Sequence, residues 1–241
     1  MNTIRFMGYT ISASSVKEFA KEQCIINTIN PHSYYVAKND AIFKKSLQTA
    51  NILLPDGSGI VWATRILLGV KIKRIAGADI HLQLLEKANN ENLNVFYLGS
   101  SENTLSKIKN RIKTEFPNIK VSSYSPPFKP EFSENDNKLI IEAINSFKPD
   151  ILFVGMTAPK QEKWVLQNKE RLKIHIISSI GAVFDFYSGN VKRSSQFWIN
   201  IGLEGLPRFF REPRRLWKRL FISFPLFFVD VFKTKLGLLK F

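Results

Sequence analysis

The 241-residue chain has one cysteine, Cys24, and three histidines at positions 32, 81 and 175. A lone cysteine cannot close an intramolecular disulfide, and the histidines are too scattered for a zinc-type ligand set. A sustained apolar stretch is missing behind Arg5 in the opening "MNTIRFMGYTISASS". No secretory signal is therefore expected, and a reducing cytosolic location is the default. There is no G-x-x-x-x-G-K-[ST], and "GSGIVW" (57–62) has two glycines of a dinucleotide fingerprint but Trp62 at the third. Dehydrogenase and P-loop kinase chemistry thus lose their usual support. No Asp-x-Asp pair occurs either, so no metal ion is expected to hold a diphosphate.

Acidic residues are also scarce. Twenty Asp and Glu face 35 Lys and Arg, a net charge of +15. Such a balance points to a polyanion: nucleic acid, an anionic membrane surface or a phosphorylated substrate. The charge is uneven, because from Asn190 onward eleven Lys and Arg oppose Glu204, Glu212 and Asp230, a net +8.

The 44% hydrophobic content suffices for one large domain plus an appendage. Residues 1–190 alternate β-branched or aromatic runs with amphipathic stretches, which predicts an α/β domain with a Rossmann-like, mainly parallel sheet flanked by helices. The predicted strands are 33–37, 51–55, 94–99, 119–124, 150–155 and 174–181. Ser15 with Glu18 reads as a capping box, Asp40 as the cap of "AIFKKSLQTA", and "YSPPFKPEFSEND" as a surface loop leading into a helix. Residues 191–241 form the basic, aromatic-rich appendage.

Ligands of such sheets bind beyond the carboxyl ends of the strands, where helix N-termini favour anions. Asp56, Gly99, Ser100, Gly155 and Gly181 fall at such ends. Two readings of Asp56 stand level: N-cap of the helix after it, or general base. Arg74 reads as part of a solvated charge run or as a phosphate ligand. Gln161 and Glu162 read as an ordinary first helical turn after Pro159 or as site residues.

Six motifs in order are more specific than any one of them. "LLPDGSGIVWATRILLG", "RIAGADI", "VFYLGS", "VGMTAPKQEKW", "SIGAVFDFYSGNVKR" and "GLEGLPRFFREPRRLWKRL" resemble the WecG/TagA/CpsF family of bacterial glycosyltransferases over roughly residues 4–220. The resemblance implies an inverting, metal-independent transfer from a UDP-sugar to an undecaprenyl-diphosphate-linked saccharide at the cytoplasmic membrane face, with no cofactor. It places the general base on Asp56, with Asn39, Arg74 and Gln161 as further catalytic residues. It also implies UDP-sugar contacts from Gly99, Ser100, Gly155, Pro159, Lys160, Gln161, Glu162, Gly181 and Asp185. A homo-oligomer is among the implied partners, with the helix after Asp56 as its apolar surface. The chain departs from the family pattern at Ala37 (threonine in the family), at Arg193-Ser194-Ser195 (Arg-Ala-Pro) and across Glu204–Arg208 (Glu-Trp-Leu-Tyr-Arg).

The apolar part of the tail, Leu220 to Val229, is far shorter than the roughly 20 residues of a spanning helix, and Pro225 interrupts it. Basic residues interleaved with aromatics suit a helix in the headgroup plane of an anionic bilayer. A basic helix packed on the body is the other reading. The expected contacts to lipid phosphate or acceptor diphosphate are Arg208, Arg211, Arg214, Arg215, Trp217, Lys218 and Arg219. A nucleic-acid-binding protein using this tail is the alternative function, although no helix-turn-helix, OB or RNA-binding signature accompanies it. A nucleotide-binding protein without transfer activity is a third.

Overall fold

The computed structural model describes residues 2–13, 22–192, 194–195, 197–198 and 205–241, apart from the side chains of Leu206, Arg208, Arg211 and Arg215. The Ser15–Glu18 capping box, Arg193 and Glu204 lie outside the described residues. The chain begins with a hairpin, β1 (Thr3–Phe6) and β2 (Tyr9–Ser12), turned by Met7 and Gly8. Both turn residues have positive φ (45° and 81°), which matches the twist of a two-residue hairpin.

Six parallel strands follow: β3 (Cys24–Ile29), β4 (Ile52–Pro55), β5 (Asn94–Gly99), β6 (Lys120–Tyr124), β7 (Ile151–Gly155) and β8 (Ile176–Ser179). Their order across the sheet is β4-β3-β8-β7-β5-β6. Because β8 is laid last, between β3 and β7, loops distant in sequence meet at one end of the sheet. The central strands β3, β8 and β7 are buried along almost their whole length, as in sheets covered on both faces. Along β7, Ile151 and Phe153 join the core under α4 (Gly77–Glu91), α5 (Glu102–Glu115) and α8 (Val183–Tyr187). Leu152 and Val154 join the opposite core, under α6 (Glu134–Phe147) and α7 (Lys160–Asn168).

Segment 33–37 is not a strand, as its β-branched and aromatic content suggested, but part of α1 (Pro31–Ala37). Asn30 and Ser33 form a reciprocal capping box and Pro31 sits in the first turn, so local capping outweighs β propensity. The strand at that place in the sheet is β3, which the sequence reading passed over. Asp40 does cap α2 (Ala41–Gln48), accepting from the Phe43 N–H at 2.9 Å. Asp56 is not the N-cap of α3 (Ser58–Leu68). That position falls to Gly57, with φ 84°, and Asp56 stands one residue before it.

The tail is helical across Pro225. The short helices α9 (Gly205–Arg211) and α10 (Pro213–Lys218) lead into a π-turn (Arg219–Ser223) and then α11 (Phe224–Lys235). Pro225 lies in the first turn of α11, where the missing N–H costs little, and the wide turn precedes it. α11 is not solvated all round: Phe227 and Val231 are fully buried in a third core with Phe6, Tyr9, Tyr34 and Leu53. The Phe227 ring lies 5.2 Å from Tyr34 and 6.4 Å from Phe6. Two polar ties accompany this packing. The Asp230 carboxylate accepts from Lys38 Nζ at 2.6 Å and from Tyr34 Oη at 3.2 Å.

Phe227→Ala should therefore lower the unfolding free energy by about 3–5 kcal/mol, the usual cost of emptying a buried aromatic site. Urea denaturation monitored by tryptophan fluorescence measures this. A loss below about 1 kcal/mol would show that the tail contributes little to the core.

Candidate active site

The carboxyl ends of β3, β4, β7 and β8 open into one cavity of about 500 Å³. Asp56 enters it from the end of β4. Its backbone N–H donates to the Ile29 carbonyl at 2.9 Å, extending the β3–β4 ladder, and the Ile75 N–H donates to the Pro55 carbonyl at 3.0 Å. These bonds bring the segment carrying Arg74 beside the segment carrying Asp56. Arg74 is half-buried and lines the cavity, while its neighbours Lys71 and Lys73 are exposed. It is thus not one of a uniformly solvated run.

Two glycines shape the opposite rim. A Cβ on Gly155 would meet the Phe184 ring at 2.5 Å, so only glycine lets α8 close down on the end of β7. Gly181 has φ +50° and faces the Gln161 amide, which a Cβ would meet at 3.4 Å. Gln161 and Glu162 open α7 and are both buried, so neither is the solvated first-turn residue that the dipole alone would explain. Burial pushes the Glu162 carboxyl up to about 7, against the lowering effect of its bond from Gln161. Asp185 lines the cavity from α8.

The tail makes the remaining wall. Arg219, Leu220 and Phe224 face the cavity, and the Phe224 ring meets Trp62 of α3 edge-to-face at 6.4 Å. His32, in the first turn of α1, lines the cavity and shares a 2.9 Å hydrogen bond between Nδ1 and Ser223 Oγ. The site therefore combines carboxylates, two arginines and a neutral imidazole with an aromatic side. Among the described residues, no three His, Cys, Asp or Glu side chains stand together to hold a metal ion. None of the described helices is long and apolar enough to cross a membrane.

Residues 4–240 match the model of the glycosyl transferase WecG/TagA/CpsF family. The chain belongs to that family. A relative from Bacillus subtilis strain 168 is 32% identical over 88% of this chain and 80% of its own. It is named N-acetylglucosaminyldiphosphoundecaprenol N-acetyl-beta-D-mannosaminyltransferase. Proteins of the same name are 30% identical in Bacillus spizizenii, over 86% of this chain and 78% of theirs, and 24% identical in Staphylococcus aureus strain MW2, over 92% and 86%. The chain is a glycosyltransferase, and the family match runs through the tail to residue 240.

Of the residues that the family resemblance nominated, the fold brings Asp56, Arg74, Gly155, Pro159, Gln161, Glu162, Gly181, Asp185 and Arg219 to the cavity. It does not bring Asn39, Gly99, Ser100 or Lys160 there. Asn39 is exposed just past the end of α1 and does not line the cavity, although Val36 before it and Phe43 after it do. Gly99 and Ser100 end the next strand out, where Met156 and the Gly155 carbonyl lie against Gly99 and cover it. The Lys160 ammonium turns to the Lys129 carbonyl and stands 3.6 Å from the Phe132 ring centre. Arg214, Trp217 and Lys218 are exposed and do not line the cavity. The side chains of Arg208, Arg211 and Arg215 lie outside the described residues. The site residues missed from sequence are His32 and Trp62, with Phe224. The helix-start pair Asn30-Pro31 was the available signal for His32.

Burial, with the Arg219 guanidinium adding to it, pushes His32 down from 6.5 to about 4. The unfolded chain takes up this proton near 6.5 and the folded chain not until about 4, so stability falls as pH drops through that window. His81, buried against Tyr97 and pushed down to about 3, acts in the same sense. His32→Asn keeps a polar atom for Ser223 but removes the His32 contribution. Its urea midpoint should decline less than that of the wild type between about pH 7 and pH 4.5. Parallel declines would refute the assignment.

Proposed function

We propose that the chain moves an N-acetylmannosamine-type hexose from a UDP-sugar, with inversion and without a metal, to an undecaprenyl-diphosphate-linked saccharide at the cytoplasmic membrane face. The observation that carries this reading is the convergence of Asp56, Arg74 and Gln161 on one cavity. It arises in a chain 32% identical to a protein named as an N-acetylmannosaminyltransferase acting on N-acetylglucosaminyldiphosphoundecaprenol.

The acceptor hydroxyl attacks the anomeric carbon while the bond to the UDP oxygen breaks on the opposite face. Its proton passes to the Asp56 carboxylate, the general base. Negative charge grows on the departing diphosphate, where Arg74 and Arg219 supply positive charge. Gln161 orients the sugar by hydrogen bonding. The apolar side formed by Trp62, Leu220 and Phe224 suits the lipid-proximal part of the acceptor. Curated relatives that act on a diphosphoundecaprenol also support a membrane-surface role for the tail, with Trp217 and Phe221 exposed at 43% and 64%.

Asp56→Asn should reduce turnover by about two to four powers of ten while leaving UDP affinity and thermal unfolding near wild type, as for loss of a general base. The assay follows sugar transfer from UDP-N-acetylmannosamine to a short-chain polyprenyl-diphosphate-linked N-acetylglucosamine by mass. Wild-type turnover in the variant would sink the role of Asp56. Transfer should persist in EDTA, and abolition that magnesium or manganese reverses would overturn metal independence.

For the membrane, the double variant Trp217→Ser, Phe221→Ser should bind vesicles containing phosphatidylglycerol at least roughly tenfold more weakly, since each aromatic contributes about 1 kcal/mol or more on burial. Flotation measures the bound fraction. Undiminished binding, or stronger binding to duplex DNA than to vesicles in the wild type, would reject the membrane reading.

A further inference from the structure

Gln161 and Glu162 are consecutive in the first turn of α7, line the cavity, and are 4% and 3% exposed. Gln161 Nε2 donates to Glu162 Oε1 at 2.8 Å. The other two oxygens, Gln161 Oε1 and Glu162 Oε2, are buried with no hydrogen-bond partner among the described residues. Across from the amide stands Gly181, whose missing side chain leaves space beside Gln161 Oε1. Two adjacent unpartnered acceptors in a cavity wall carry a desolvation cost that folding alone does not explain.

Their chemistry restricts what the amide can display. An ionised carboxylate only accepts, so Gln161 must turn its NH₂ towards Glu162 and leave Oε1 for the cavity. A protonated carboxyl has an O–H to donate. It can bond to Oε1 of an amide turned by half a rotation, which then offers NH₂ to the cavity.

We infer that Glu162 is a positioning residue whose protonation state sets whether Gln161 presents an acceptor or a donor to the bound sugar nucleotide. With the acceptor outward the amide suits a sugar hydroxyl or an N-acetyl N–H; with the donor outward it suits a phosphate or carbonyl oxygen. This assignment rests on reading the cavity as the donor-substrate site. Burial places the Glu162 transition at about 7, so both states are populated near neutral pH. The charged or titratable groups sharing the cavity are Asp56, Arg74, His32, Asp185 and Arg219. At the seam of α7 and α2, Lys163 pairs with Asp40 at 3.0 Å. Asn27 of β3, Ser46 of α2 and Thr49 just after α2 face Glu162, and none of them titrates near neutrality.

The test is a pH titration of the whole protein by NMR. The Gln161 side-chain amide is assigned by its loss in Gln161→Ala and followed from about pH 5.5 to 8.5. Its NH₂ signals should shift with a midpoint near 7 in the wild type and stay fixed in Glu162→Gln. A static Gln161 amide in the wild type overturns the inference, as does the same shift in Glu162→Gln. The wild-type titration decides the question even if a variant fails to fold. Neither signal depends on sugar transfer, so the result is separable from the proposed reaction. Where transfer is measured, the pH profile of kcat/KM should lose one ionisation near 7 in Glu162→Gln, and an unchanged profile counts against the inference.

Discussion

The cavity depends on the absence of a methyl group at Gly59. A Cβ there would stand 2.5 Å from Pro31 Cγ and 3.1 Å from Phe224 Cε2. Three helix beginnings therefore meet at van der Waals distance: α3, α1 and α11. Each brings part of the site. α3 follows directly on Asp56, α1 begins with the capping box beside His32, and α11 follows Ser223, the hydrogen-bond partner of His32. A side chain at position 59 would separate these ends and widen the cavity on the side where the segment after Asp56 and the tail face each other. Interiors packed at crystal-like density do not absorb such an intrusion without displacing an element.

Where sequence and structure agree, strong periodic or compositional signals carried the reading. β5 and β7 are short apolar runs between polar stretches, β8 opens on a pair of isoleucines, and all three lie within a residue or two of the expected bounds. α2 begins at Asp40 as its capping side chain predicts, and α6 follows the Pro-rich loop as expected, with Ser133 at the end of that loop as the cap that the structure adds. The failure at 33–37 has the opposite cause. Tyr34, Tyr35 and Val36 favour strands individually, but the reciprocal bonds of Asn30 and Ser33 satisfy backbone N–H groups that a strand would need to pair elsewhere. Strand order was not legible at all. Nothing local to residues 176–179 says that they lie between β3 and β7, and that insertion keeps Gly99 and Ser100 from the cavity while admitting Gly155 and Gly181. The motif around Asp56 was legible as a unit. The part that His32 and Phe224 take in the cavity was not, because it arises from contacts spanning nearly two hundred residues.

Carboxyl groups around the cavity are differentiated by depth. Glu162 lies under the surface of α7 and is held up by burial, while Asp56 and Asp185 are half-buried at the rim. Arg74 and Arg219 counter the rim carboxylates, and His32 adds no charge near neutrality because its burial and Arg219 oppose protonation. One cavity thus contains half-buried carboxylates, a buried carboxyl held partly protonated near neutrality and two arginines. Separation of similar groups by environment is how a single site supports acid, base and electrostatic work together.

The tail reaches this cavity against its own charge. Residues from Asn190 onward carry +8 of the net +15, which leaves +7 on the remainder. Two like-charged parts repel, so docking must come from elsewhere. Phe227 and Val231 supply it by entering the core with Phe6, Tyr9 and Tyr34, and Asp230 turns inward to meet Lys38 and the Tyr34 hydroxyl. An acid facing the body removes one repulsive contact at the seam, while Arg214, Lys218, Lys233 and Lys235 remain exposed. The repulsion is greatest when the tail is docked without a counter-anion, and any polyanion bridging Arg219, Arg74 and the outer cations lowers it.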